Sequence, residues 1–172
     1  MHSAFIFKNR LASGELKALG ERYPELETSA MECFLALLDL AGALRDATES
    51  ALARRGTSQG RLRVLLQLHG APSEELAPGE LARRLGVTPA TVTGLLDGLS
   101  REGQVLRRRA AGDRRGVAVR MTARGRARLG EILPERFRRI AALMGGLSLS
   151  DRAELLRLLG AVAAGLPEFS RL

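Results

Sequence analysis

The feature that most restricts the fold of this chain is a pair of short helix-forming runs, from Pro78 to Gly103, that meet across one glycine. Pro78 opens the first run and Gly86 closes it. Thr88 then provides an N-cap, and Pro89 stands at the first helical position, where its missing N–H costs nothing. Ala82 is small where two helices must approach closely, and Gly86 can take the positive φ that a tight turn demands. Leu81, Leu85, Val87, Val92 and Leu95 fall on faces able to share one small core. Five such positions in register predict a helix-turn-helix, with an ordinary αα-hairpin as the alternative.

Beyond Gly103 the apolar period falls from about 3.6 to 2. Val105–Arg109 and Val117–Met121 read as short strands around the turn Ala110-Ala111-Gly112-Asp113. Thr122 caps a further helix running towards Gly145, and Ser148-x-x-Asp151 is a capping box for a last one. Upstream, a long amphipathic helix is expected from Ala30 to Arg54, broken by Gly56, with a short extra helix ending near Tyr23-Pro24. Thr57 or Ser58 caps the next helix, which stops at Gly70, and Ser73–Ala77 suits a short extended piece. The fold class is therefore α+β, mostly α: a winged helix-turn-helix with added helices at both ends. Residues 1–29 form an N-terminal extension, 30–57 a dimerisation helix, 58–128 the winged helix-turn-helix and 129–172 C-terminal dimerisation helices. A lone winged helix has no need of apolar terminal helices, which points to a homodimer; packing of both ends into the chain's own core is the alternative.

Charge indicates the partner. The net charge is +8, and the segment from Glu80 to Arg128 holds twelve arginines against four acids, so the whole excess lies in under a third of the chain. Such concentration is the footprint of a polyanion-binding face, here double-stranded DNA. The second helix offers Thr88, Pro89, Ala90, Thr91 and Thr93 to the major groove, where hydroxyls meet base edges or phosphates and methyls meet thymine. Arg114 and Arg115 at the hairpin tip suit a narrow, electronegative minor groove. Arg107, Arg108 and Arg109 read equally as phosphate contacts and as the solvated face of a strand. Asp113 is assigned to orienting an arginine or closing the turn.

On these residues the chain resembles the MarR family of bacterial transcriptional regulators. The resemblance rests on Glu80-Leu-Ala-Arg-Arg-Leu-Gly-Val-Thr-Pro-Ala-Thr-Val-Thr, on Leu95-Leu-Asp-Gly-Leu-Ser-Arg-Glu-Gly, and above all on Asp113-Arg-Arg-Gly-Val-Ala-Val-Arg-Met-Thr-Ala-Arg-Gly, which matches the family's D-x-R wing. It implies a two-fold homodimer joined by terminal helices, a repressor responsive to a small aromatic or anionic effector held in a cleft, and a pseudo-palindromic operator. It places Arg115, and with it Arg114, in the minor groove. One position departs: where many members carry arginine after the second threonine of T-V-T, this chain has Gly94.

Cys33, in a Cys-Phe setting similar to that of the family's hydroperoxide sensors, is a candidate redox sensor, although the tyrosines that accompany that cysteine are absent. A buried, inert thiol is the plainer reading. The N-terminal extension resembles that of the urate-responsive branch but lacks its tryptophan. A single cysteine excludes an internal disulfide and suits a reducing cytoplasm. With two histidines, one cysteine and no clustered acids, neither a metal site nor a nucleophilic triad can be assembled, so no enzyme and no cofactor is expected. No run approaches the 18 or so apolar residues of a membrane span, and Lys8 and Arg10 interrupt any signal-peptide core after Phe5–Phe7. A winged helix that serves only as a protein-interaction module is the remaining alternative.

Overall fold

The computed structural model describes residues 13–71, 74–109 and 117–171, with the side chains of Ser13, Gly14 and Arg109 left aside. The chain divides into two compact units. The first comprises residues up to Gln67 together with Pro78–Leu99, and the second Leu68–Ala77 with Ser100–Leu172.

In the first unit, α1 (Ser13–Arg22) packs on α2 (Thr28–Ala53), where Leu16 is fully buried. The cap of α2 is Glu27, whose carboxylate accepts from the N–H groups of Ser29 at 3.2 Å and Ala30 at 2.6 Å. Ser58 accepts from the N–H of Arg61 at 3.3 Å and so caps α3 (Gln59–His69). Then come α4 (Pro78–Leu85) and α5 (Pro89–Arg101). Leu62, Val64, Leu65, Leu81, Leu85, Val92, Leu96 and Leu99 form the core of this unit. Gly86, at φ 66°, lets α4 end in a Schellman turn: Val87 N–H reaches Ala82 O at 3.1 Å and Gly86 N–H reaches Arg83 O at 3.3 Å. Leu95, expected among the residues that share this core, is only half-buried and lies against Gly60, while Leu96 and Leu99 are sealed.

The second unit is built on a three-stranded antiparallel sheet in the order β1-β3-β2, with β1 Glu75–Leu76, β2 Val105–Arg109 and β3 Val117–Met121. Glu75 pairs with Arg120 and Arg108 with Ala118, so these four share one face. Val119 and Met121, on the other face, are buried with Val105, Leu129 and Ile132. Thr122 caps α6 (Ala123–Leu143) by accepting from Gly125 N–H at 3.1 Å, and its hydroxyl donates back to Gly103 O at 2.7 Å. Gly125 sits so close to the carbonyl of Gln104 that a β-carbon there would overlap its oxygen.

Helix α6 runs through Pro134 without ending. The capping box of Ser148 and Asp151 opens α7 (Leu149–Ala164), and a single further turn, α8 (Leu166–Phe169), follows. Neither α7 nor α8 buries a residue: Leu149, Leu156, Val162, Leu166 and Phe169 are all more than half exposed. Among the described residues no helix is long and apolar enough to cross a membrane.

Candidate nucleic-acid interface

Helix α5 carries the first part of the candidate interface. Thr88, Pro89, Ala90, Thr91, Thr93 and Gly94 are all exposed, whereas Val92, Leu96 and Leu99 hold the opposite face in the core. The threonine hydroxyls are not idle. Thr88 accepts from Thr91 N–H at 3.2 Å, and the two hydroxyls meet at 2.9 Å, so that pair retains one proton for an outside acceptor. Thr93 donates to Pro89 O at 3.0 Å and turns only lone pairs and a methyl outward. No heavy atom lies within 4 Å of a β-carbon added at Gly94. Gly94→Ala should therefore stabilise the protein by about 1 kcal/mol, the usual difference between glycine and alanine inside a helix. Urea unfolding measures this, and a loss of stability would contradict it.

Several arginines of the basic segment are tied within the chain. Glu80 receives Arg83 Nε at 2.8 Å and Arg84 Nε at 2.6 Å, and these hydrogen bonds hold its carboxyl down to about 2. On the sheet, Arg108 reaches across β3 to Glu75, with its Nε at 2.8 Å from Oε2 and small, buried Ala118 on the same face. Glu74, at φ 51°, pairs with Arg126 and sits 3.3 Å from His69 Nδ1, while its carbonyl accepts from Met121 N–H at 3.0 Å. Arg128 pairs with Glu131 at 2.8 Å. Three carboxylates just outside the basic segment thus fold onto its arginines, which reduces the local excess from eight to five. Arg101, Arg107, Arg120 and Arg124 are exposed.

Arg108, left open between phosphate contact and solvated strand face, is therefore a brace of the hairpin stem. Its partner lies 33 residues away, beyond any local spacing rule. The Glu80 pairs, by contrast, stand at the i+3 and i+4 spacings at which helix charges meet. The hairpin-tip assignments Asp113, Arg114 and Arg115 lie outside the described residues. Arg109 lies in β2 opposite Val117, and Arg107 is exposed opposite Val119. Cys33 is the sixth residue of α2 and exposed, past the first turn where helix amides favour a thiolate. Among the described residues no group of three or more His, Cys, Asp or Glu side chains could hold a metal ion.

The MarR family profile matches residues 52–116. Over 140 residues the chain is 39% identical to the HTH-type transcriptional repressor YetL of Bacillus subtilis strain 168, covering 81% of this chain and 84% of YetL. AbsC, a MarR family transcriptional regulator from Streptomyces coelicolor, superposes with a TM-score of 0.75 at 18% identity over 83% of this chain and 97% of AbsC. Sco3205, a MarR family transcriptional regulator from the same organism whose structure is a complex with DNA, gives a TM-score of 0.75 at 23% identity, covering 82% of this chain and 89% of Sco3205. These two share the fold.

Proposed function

The chain belongs to the MarR family, and from that premise we propose that it is a sequence-specific, double-stranded DNA-binding transcriptional regulator, a repressor that acts as a homodimer. The observation that carries this reading is helix α5: an exposed row of short polar and apolar side chains, fixed from behind by a sealed core, on a chain with exposed arginines at 101, 107, 120 and 124. Thr88, Pro89, Ala90, Thr91 and Thr93 face the major groove. Arg107 and Arg109 meet phosphates, and Arg114 and Arg115, oriented by Asp113, enter the minor groove. YetL is a repressor, and Sco3205 was captured on DNA; both precedents support the assignment.

Helices α7 and α8, apolar yet unburied, join two copies, with 30–57 and 129–172 as the dimerisation segments around the reading head at 58–128. The dimer sets two recognition helices about one DNA turn, roughly 34 Å, apart on a pseudo-palindrome. A small aromatic or anionic effector releases the DNA. The regulator has no catalytic role, needs no cofactor and works in the cytoplasm. Footprinting the DNA upstream of its own gene tests the proposal. Two protected half-sites about 10 base pairs apart, centre to centre, are expected; uniform protection, or none, on this DNA would contradict it. Peroxide sensing by Cys33 is not favoured, because the thiol stands beyond the first turn of α2.

A further inference from the structure

Most recognition of guanine in the major groove comes from arginine or lysine, and of adenine from asparagine or glutamine, each gripping a purine edge through two hydrogen bonds. Helix α5 has none of these before Arg101, its last residue. Its outward face runs Ala90, Gly94, Asp97 and Arg101, flanked by Thr91 and Thr93. At 1.5 Å of rise per residue, Arg101 lies about 16 Å along the axis from Ala90, a full two turns beyond the segment that enters a groove first. Apart from the single proton kept by the Thr88–Thr91 hydroxyl pair, the first two turns therefore present methyl groups and hydrogen-bond acceptors, with no side chain able to grip a guanine edge through two donors. The Thr93 proton is spent on Pro89 O.

Such a face is matched to one base-pair edge. Guanine shows only acceptors, N7 and O6, and meets acceptors with repulsion. A T·A pair shows the thymine C5-methyl, which packs on a methyl, and the adenine N6 amino group, which donates to an acceptor. Cytosine has the donor but not the methyl. Contact between methyls requires approach to within about 4 Å, and the missing side chain at Gly94, beside Ala90 on the same face, leaves room for the groove edge to come that near.

We propose that Ala90 and Thr93 make this chain a reader of thymine methyl groups, so that its half-sites are selected by T·A pairs facing α5 and not by guanine contacts. The proposal rests on the DNA-binding reading above.

The test selects duplexes from a random library of about 30 base pairs with the intact chain, then rebuilds the enriched duplex with deoxyuridine for thymine. Loss of a buried methyl is worth roughly fourfold in affinity, so two half-sites should weaken binding by about tenfold or more. Thr93→Ser removes the protein methyl and keeps the hydroxyl. It should shrink the thymine-to-uracil ratio by roughly fourfold. Equal binding of the two duplexes, half-sites read as G·C, or a uracil effect undiminished in Thr93→Ser would each overturn the proposal while leaving DNA binding intact. Enrichment of no duplex at all would overturn the DNA-binding reading and the proposal with it.

Discussion

Replacing Gly125 with alanine is expected to cost about 3 kcal/mol of stability, at the upper end of what forced overpacking usually costs. The new β-carbon would overlap the Gln104 carbonyl oxygen and stand 2.9 Å from Met121 Cγ. A flexible side chain would swing aside, but this obstacle is backbone. The Gln104 carbonyl is already held by Thr122 N–H at 3.1 Å. The next residue, Val105, is buried and paired with Met121 at the start of the hairpin stem. Strand and helix therefore have to part at the joint from which the wing extends. In a chain of this size the loss corresponds to roughly 10 °C in Tm. Gly130→Ala on the same helix is the control: nothing lies within 4 Å of its added β-carbon, so it should gain up to about 1 kcal/mol. Thermal and urea unfolding of the two variants measure both effects. A Gly125→Ala loss below about 1 kcal/mol would show that the contact relaxes easily.

The second large effect concerns assembly. Leu156 and Leu159 lie exposed on α7, with Leu155, Leu158 and Val162. This leucine-rich helix buries nothing in its own chain, and the homodimer proposed above places a second copy against it. The double substitution Leu156→Glu, Leu159→Glu places two carboxylates where apolar surface should close, and should convert a dimer into monomers. Joining two DNA-binding heads is worth roughly 10²–10⁴ in avidity, so operator affinity should fall at least about a hundredfold. Sedimentation gives the mass and fluorescence anisotropy the affinity. A variant that remains dimeric, or an unsubstituted chain that sediments as a monomer, would contradict the assignment of α7.

Much of the fold was legible because its boundaries are written in local chemistry. Gly86 closes α4 through its positive φ, Thr88 and Pro89 open α5, and Ser148 with Asp151 opens α7. Each signal spans at most a few residues, and the structure places each element where that signal points. Two features escaped, one through its sequence separation and the other through an unusual residue type. Arg108 meets Glu75 only once β3 has been laid between their strands. Glu27 caps α2 with a carboxylate reaching forward, where a serine or threonine cap is the usual signal.

The candidate interface was legible in composition and less so in its bonding. The positions named on α5 are exposed, but their hydroxyl bonds, which decide what each threonine can offer, follow from rotamers. The charge excess was real and overstated, because Glu74, Glu75 and Glu131 lie just beyond the segment over which it was counted.

The central claim is that this chain grips the phosphates of duplex DNA through the arginines of its basic segment. Its most direct test is the affinity of the intact chain for the duplex upstream of its own gene, measured between about 50 and 200 mM salt. Each neutralised phosphate contributes roughly −0.9 to the slope of log K against log salt concentration, and a grip on at least four predicts a slope of about −3.6 or steeper. An affinity that does not change across that range would contradict it.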